Sequence, residues 1–430
     1  MIITVPGDKS LTQRSLILAS LAEGESRLSG LLYGGDAAST AGALRALGAD
    51  MGELPSDGSE LVVRGVGLTG LRTPAAELDL GNSGTGSRLL LGVLAGSALT
   101  ATLTGDDSLR SRPMGRVTGP LSAMGARFEH RGEPGRLPIT VEGRRPLSPI
   151  DWRSPVASAQ VKSAILLAGL VGGAGVTVTE PRQSRDHTER MLRGVGATVT
   201  GHEADGGWRV SLSTPPGRID PLDFRVPGDI SSAAFPLGWA ALGGAGGELT
   251  VEHVGLNPTR TAVLDVLLRM GAEVRIEPTR DAGPEPVGSV TVVPGGLKGV
   301  TVGGEEIPRL IDELPLIAAM GAAAEGVTSI REAEELRAKE SDRIAVMVEN
   351  LRALGVQVEE RPDGLDVQGT DRPLRGRVRT HGDHRIAMAF GVLGATGSND
   401  IEIDDRGAAA VSFPGFWELL DRLTAAPPTR

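Results

Sequence analysis

The chain has 430 residues, no cysteine, 61 glycines, 28 prolines, 23% charged residues and a formal net charge of −10. That length buries a full core and predicts two or three domains, while the missing cysteines exclude a disulfide scaffold, a Cys-ligated zinc and thiol catalysis. No basic stripe points to nucleic acid, the opening MIITVPGDKS is not a signal peptide, and the uncharged stretches are broken by Gly before they could span a membrane, so a cytoplasmic protein is expected.

In chain order, short polar residues introduce Ala/Leu/Gly-rich helical stretches at Ser10, Ser83, Ser158, Ser231, Asp312 and His384. Each stretch is predicted to close on a C-terminal glycine, and alternating strand-like runs often follow, as in LTATLTG, VTVTEP and LTVEHV. Interleaved with these, a second kind of helix runs through a glycine into a strand, at Gly48, Gly125, Gly196, Gly271 and Gly355, with FPGFWELLDRL as the C-terminal copy. The pattern repeats about every 72 residues, which predicts six units with two helices and several strands each.

A larger symmetry lies over the repeat. Val5-Pro6-Gly7-Asp8 recurs as Val226-Pro227-Gly228-Asp229, and both copies lead into a helix of the first kind. Two closed bodies of three units follow, rather than an open solenoid. The first comprises 1–8 and 227–430, the second 9–226, with hinge crossings near 6–9 and 226–229. The expected class is α/β (α+β).

The first-kind helices are apolar on all faces beyond their polar starts, so only their N-termini can reach solvent. A helix N-terminus offers free N–H groups and the positive end of the macrodipole. Cations cluster at these starts (Lys9, Arg14, Arg88, Lys162, Arg385) and in nearby loops (Arg110, Arg112, Arg185, Lys339, Arg343). Such a locus suits phosphates and carboxylates, although any one Arg can equally be a solvated ion-pair partner. Only Lys9, Lys162, Lys298 and Lys339 are lysines among the 44 basic residues; each either reflects coding bias or marks a site that needs a compact ammonium. Asp312 is either a helix cap or a functional carboxylate, and Glu340, between Lys339 and Arg343, is either a helix-terminal charge or a tuned acid or base. Gly65-Val-Gly67-Leu-Thr-Gly70 matches a dinucleotide fingerprint, but Pro74 follows and no helix is predicted to open there. His381-Gly-Asp383-His384 has no companion cluster, so no metal and no cofactor are expected.

The segments PGDKSLTQRS, GNSGTGSR, GDDSLRSRPMGRV, SAQVKSAILLAGL, SRDHTERM, VPGDISSAAF, IDELPLIAA, LRAKESDRI and GDHRIAM, in order over residues 6–390, together resemble the 5-enolpyruvylshikimate-3-phosphate synthase (3-phosphoshikimate 1-carboxyvinyltransferase) family, in its divergent second class. The resemblance implies two lobes of three βαβαββ units with the active site in the cleft between them. It implies a monomer that takes shikimate-3-phosphate and phosphoenolpyruvate. Lys9, Ser10, Arg14, Ser158, Ala159, Gln160, Arg185, Asp312 and Lys339 would meet shikimate-3-phosphate. Lys9, Gly84, Arg112, Gln160, Arg343 and Arg385 would meet phosphoenolpyruvate, with Lys339 and Glu340 also around it. It further implies that glyphosate takes the donor's place.

The implied reaction moves the enolpyruvyl group to the 5-hydroxyl through a tetrahedral intermediate that expels phosphate. Asp312 would be the base on the hydroxyl, Glu340 the proton donor to C3, and Lys9 the cation at the departing phosphate; these roles can be exchanged. Four positions depart from much of the family: Gln13 for His or Asn, Ala159 for a second Ser, Glu335 for Asn, and Val411 for a Lys that contacts the donor. Two alternatives stand beside this reading. One is the enolpyruvyl transferase acting on UDP-N-acetylglucosamine, which usually uses a Cys that this chain lacks. The other is a non-enzymatic anion-binding repeat module.

Overall fold

A computed structural model describes residues 1–279 and 283–425. These form two compact units, one of residues 1–6, 227–279 and 286–425, the other of 7–226 with 283–285. Gly7 and Asp8, assigned from the sequence to the first body, belong to the second. A Cβ at Gly7 would collide with the Gly30 carbonyl, and the Asp8 carboxylate accepts from the Leu11 N–H at 2.8 Å.

Each unit has its own apolar core, and the repeat is visible in the sheets. Among the described residues there are five four-stranded sheets and a two-stranded one. The pattern is clearest in the unit of 7–226. Leu78–Asp79 runs parallel to Thr100–Thr104, which pairs antiparallel with Ile139–Glu142, which pairs antiparallel with Arg127–His130. Ile150–Arg153, Val176–Glu180, Gly207–Leu212 and Thr200–Ala204 repeat it. The last repeat is abbreviated to the parallel pair Arg375–Val378 and Asp400–Ile403, followed by the Phe416–Ala425 helix where the others carry an antiparallel hairpin. Hydroxyls on the sheet faces turned away from the core meet across equivalent strands, Thr102 with Thr140, Thr177 with Ser211 and Thr250 with Thr291, at 2.8–3.0 Å.

The opening repeat of each unit borrows its parallel strand from a distant part of the chain. Ile2–Ile3, just before the first VPGD, pairs with Leu249–Gly255 in the first unit, and Asp223–Arg225, just before the second, pairs with Glu23–Ser29 in the other. The doubled VPGD therefore marks where the chain leaves one unit for the other.

The core helices are Lys9–Leu21, Gly84–Ala95, Ala159–Gly172, Ile230–Ala241, Leu314–Gly321 and His384–Gly394. Ser83 and Ser158 cap two of them. Ser10 and Ser231 do not: the VPGD aspartates Asp8 and Asp229 hold the caps, and Asp383 holds the third such position. An Asp one residue before the helix reaches the N2 or N3 amide directly, so serines further in are left for other contacts. Asp312 is not a cap either, because the helix opens at Leu314 behind Glu313, which makes no side-chain cap.

The two glycine signatures behave differently. Gly48, Gly125, Gly196, Gly271 and Gly355 all adopt the left-handed conformation, with φ between 82° and 109°, as a helix running straight into a strand requires. Of the first-kind helices, only Ala159–Gly172 has a left-handed glycine, Gly173, as its C-cap; Lys9–Leu21 ends on an extended Ala22, and Gly96 is right-handed. Gly65 explains the false dinucleotide motif. It ends a strand, and a Cβ there would overlap the carbonyls of Ala19 and Ala22. Gly143 meets Leu94 and Ser97 in the same way, and Gly369 meets Ala324.

Candidate active site

In the unit of 7–226 the first two turns of three core helices touch one another. Gln13 donates to the Ser83 Oγ at 2.6 Å, joining the Lys9–Leu21 helix to the cap of Gly84–Ala95. Gln160 donates to the Thr85 Oγ1 at 3.0 Å, joining Ala159–Gly172 to the same turn. Arg14 donates through Nη2 to the Ser163 Oγ at 3.2 Å and closes the triangle. The helices can approach this closely because Gly92 faces the backbone of Ala164, where a Cβ would lie 2.7 Å from the Ala164 Cα. Three helix starts are thus brought to one locus, a concentration of free N–H groups and positive dipole ends.

Most of the residues assigned to this unit from the sequence gather there. Lys9 is paired with the Asp36 carboxylate at 3.2 Å. Arg14 is buried, donates to the Thr188 Oγ1 at 2.8 Å and to the Ser10 carbonyl at 3.0 Å. Burial pushes its guanidinium down to about 10 and the nearby Arg185 adds to this, while Asp8, Glu189 and Glu285 oppose it. Gly84 sits at the first position of its helix, facing the guanidiniums of Arg88 and Arg112. Arg112 is anchored by the Asn82 side chain at 2.7 Å. Ser158 caps its helix, with Ala159 next, so that Ala159 offers only its backbone and methyl. Arg185 is half-buried in the loop after Val176–Glu180. Gln13 is fully buried under the locus, so this departure from the family changes the support of the site.

Lys162 is a correction to the cation cluster. Its ammonium has no exposed surface and pairs with Glu180 at 3.0 Å and Glu189 at 2.8 Å, with the Ser184 carbonyl at 3.3 Å as a third acceptor. Three acceptors around one nitrogen suit an ammonium better than a planar guanidinium, a reason for lysine in a chain otherwise rich in arginine. Arg110 also leaves the cluster, forming an exposed pair with Asp107.

In the other unit Arg343 is the hub. It is 1% exposed and donates through Nε to Asp383 at 2.8 Å and through Nη2 to Glu340 at 2.7 Å, with Asp312 3.6 Å from Nη1. Burial works to deprotonate this guanidinium, but Asp383, Glu340 and Asp312 outweigh it and hold its pKa above the ordinary value. Asp383 shows the reverse: burial favours its neutral form, yet Arg343 keeps its carboxyl below the usual range. Asp312 also faces Arg260 at 3.6 Å, and Arg260 lies 3.6 Å from Glu313. Ser231 donates to Glu313 and accepts from Arg385 at 2.7 Å. Asp312, Glu340, Arg343 and Arg385 therefore belong to one polar network. Lys339 stands apart from it, with its ammonium on Glu335 at 3.1 Å. Val411, 39% exposed at the end of a short 3₁₀ turn, finds no structural explanation.

Asp36, Arg260, Glu313 and Asp383 were missed from the sequence. Asp383 had a signal, since it precedes a core helix as Asp8 and Asp229 do. Arg260 had none, because NPTRT carries no periodicity that ties it to Asp312.

The family described as EPSP synthase (3-phosphoshikimate 1-carboxyvinyltransferase) matches residues 1–420. A 3-phosphoshikimate 1-carboxyvinyltransferase of Gloeobacter violaceus is 51% identical over 98% of this chain and 96% of its own length. One of Alkalilimnicola ehrlichii is 51% identical over 97% and 92%. The solved EPSP synthase of Acinetobacter baumannii superimposes with a TM-score of 0.87 at 41% identity, covering 98% of this chain and 95% of that one. The enolpyruvyl transferase NikO of Streptomyces tendae, 20% identical with a TM-score of 0.75 over 99% and 95%, shares the fold. With half of its residues identical to such relatives from end to end, and the polar networks above built from the segments that first suggested it, the chain belongs to the EPSP synthase family.

Proposed function

We infer that this chain transfers the enolpyruvyl group of phosphoenolpyruvate to the 5-hydroxyl of shikimate-3-phosphate and releases phosphate, a step in aromatic amino-acid biosynthesis. The observation that carries the chemistry is the pairing of two partly exposed carboxylates, Asp312 and Glu340, on the one buried Arg343. The reaction needs a base on the hydroxyl, an acid at C3 of the donor and fixed positive charge around the phosphate and carboxylate. In this reading Asp312, flanked by Arg260 and Arg343, takes the hydroxyl proton. Glu340 delivers a proton to C3 as the tetrahedral intermediate forms, and a proton leaves C3 again as the C–O bond to phosphate breaks and the double bond is restored. Arg343 and Arg385 hold the donor's anionic groups.

The unit of 7–226 supplies the anion-binding half of the machinery. Ser10, Arg14, Ser158, Ala159, Gln160 and Arg185 hold shikimate-3-phosphate, and the resemblance adds Asp312 and Lys339 to its contacts. Lys9, Gly84, Arg112 and Gln160 attend the donor, and Lys9 neutralises the departing phosphate. Electrostatic preorganisation is the physical advantage: guanidiniums already held by Asp383, Asn82 and Ser231 need no reorganisation as charge develops.

Incubating the purified protein with shikimate-3-phosphate and phosphoenolpyruvate, and measuring both phosphate and the enolpyruvyl ether, tests the reading directly. Phosphate release that depends on shikimate-3-phosphate is expected. Release that instead requires UDP-N-acetylglucosamine, or no release at all, would overturn it.

Gly84 tests the donor pocket. A Cβ at this position would lie 2.9 Å from Arg88 Nη1 and 3.0 Å from Arg112 Nη1, the mobile ends of long side chains. Gly84→Ala is therefore expected to fold normally, with the methyl group taking space at the helix start and displacing the guanidiniums. Glyphosate is longer than phosphoenolpyruvate, so its inhibition constant should rise by about tenfold or more, the scale of one misplaced methyl group, and the donor KM by less. Equal increases in both constants would show that the methyl acts only by moving Arg112.

A further inference from the structure

The mechanism above leaves a buried charged cluster unused. Glu180, at the end of Val176–Glu180, is 1% exposed, as far from solvent as any carboxylate in its unit. Its Oε1 accepts from the Ser158 backbone N–H at 2.8 Å and from the Ser184 hydroxyl at 2.9 Å. Its Oε2 accepts from the same hydroxyl at 2.7 Å and faces the Lys162 ammonium at 3.0 Å. One carboxylate thus fastens two separate pieces of chain. Ser158 opens the Ala159–Gly172 helix, and Ser184 immediately precedes Arg185.

We propose that Glu180 is a positioning residue for shikimate-3-phosphate, setting the separation of Ser158 and Arg185 so that both meet the same ligand. This rests on the assignment of Ser158 and Arg185 to that ligand. The cap hydrogen bond from the Val161 N–H to the Ser158 Oγ is long, 3.5 Å, so Ser158 is held more firmly through its own N–H on Glu180 than through its cap. The Ser184 hydroxyl gives both of its contacts to the same carboxylate, and the Ser184 carbonyl accepts from Lys162, which together set where the chain turns into Arg185. A bare carboxylate this close to a phosphate site would repel the ligand. Lys162, buried against both Glu180 and Glu189, offsets one of the two charges; removing the Glu180 charge should by itself favour the anion, so a loss of affinity in E180Q reports geometry.

Glu180→Gln is the discriminating substitution. It is isosteric, and it leaves Lys162 facing one carboxylate in place of two, a balanced pair, so the fold should hold. The amide cannot accept at both ends. With its oxygen on the Ser158 N–H, its NH₂ points toward Lys162 and Ser184, so the ammonium loses its acceptor there and the Ser184 hydroxyl can donate only to the remaining oxygen. Ser184→Ala removes the other end of the clamp without altering any buried charge.

The experiment is calorimetric titration of shikimate-3-phosphate into the wild type, E180Q, S184A, the double variant and Arg185→Ala, with steady-state kinetics alongside. E180Q is expected to weaken shikimate-3-phosphate by about tenfold, the usual scale of a displaced hydrogen bond to a charged group. KM for phosphoenolpyruvate and kcat at saturating shikimate-3-phosphate should stay within about twofold. S184A should show part of the same loss, and the double variant should be no worse than E180Q, because both break one clamp. Unchanged shikimate-3-phosphate affinity in E180Q while Arg185→Ala loses it would overturn the positioning role and leave the site assignment standing. A fall in kcat with affinity intact, or additive losses in the double variant, would overturn it as well. If Arg185→Ala also binds normally, the site assignment fails and the positioning role with it. Should E180Q not fold, S184A decides alone: affinity equal to wild type overturns the proposal.

Discussion

Glu340→Gln is expected to lower turnover by about 10²–10⁴-fold, the range for losing a general acid or base, while shikimate-3-phosphate affinity stays within a factor of two. The structure sharpens the reason. Glu340 lies outside the Arg343–Ala353 helix, whose cap is Asp342, so it is not a first-turn charge of that helix. It accepts from Arg343 at 2.7 Å, and its side chain is 30% exposed. Glutamine keeps a hydrogen-bond acceptor for Arg343, and Arg343 keeps its stronger partner Asp383, so the hub remains in place. What disappears is the titratable proton. Pre-steady-state and steady-state rates with both substrates measure the effect. Turnover within a few-fold of wild type would make Glu340 a structural ligand of Arg343 and move the acid role to Lys9 or Asp312.

Lys162→Met is expected to destabilise the protein by about 3–5 kcal/mol, the cost of removing one partner from a buried ion pair. Here two carboxylates, Glu180 and Glu189, would be left in a site with almost no exposed surface. The loss should depend on pH with a definite sign. Burial already raises the Glu189 carboxyl above its ordinary value, and Lys162 works to lower it. Without Lys162 the folded state must hold Glu189 protonated more tightly than the unfolded chain does. A group whose folded pKa is raised costs stability as pH rises from its unfolded value toward the folded one. The deficit of the variant should therefore be smallest near the ordinary carboxylate range, about pH 4–5, and largest at neutral pH and above. Urea unfolding at several pH values checks this. A deficit independent of pH would mean that lost packing of the lysine stem, rather than stranded charge, is responsible. The triple variant Lys162→Met, Glu180→Gln, Glu189→Gln should recover much of the stability. If Glu180 is the clamp inferred above, it should not recover shikimate-3-phosphate affinity.

The features legible in the amino-acid order are those whose partners lie within one turn of chain. Asp8 reaches Leu11, Ser83 reaches Gly86, and a glycine between helix and strand must turn left-handed at Gly48, Gly125, Gly196, Gly271 and Gly355. Such contacts are short-range, so spacing is enough to read them, and their recurrence carries the sixfold repeat and the doubled VPGD. Family motifs add the site residues because those are contiguous in the segments that carry them.

Partners across the fold were not legible, because nothing local selects them. Lys162 could equally have faced a ligand; it is the packing of the strand ending at Glu180 and of the helix holding Glu189 against its own helix that makes it a buried counter-ion. Asp312 reads as a helix cap until the helix is found to start at Leu314, leaving the carboxylate between Arg260 and Arg343. Pro74 already argues against a dinucleotide loop at Gly65, but why the residue is glycine shows only when the carbonyls of Ala19 and Ala22 are found in the space a side chain would need. A buried charge must be paired and a close backbone approach must be free of Cβ, but which charge and which backbone meet is set by how the helices and sheets of each unit stack.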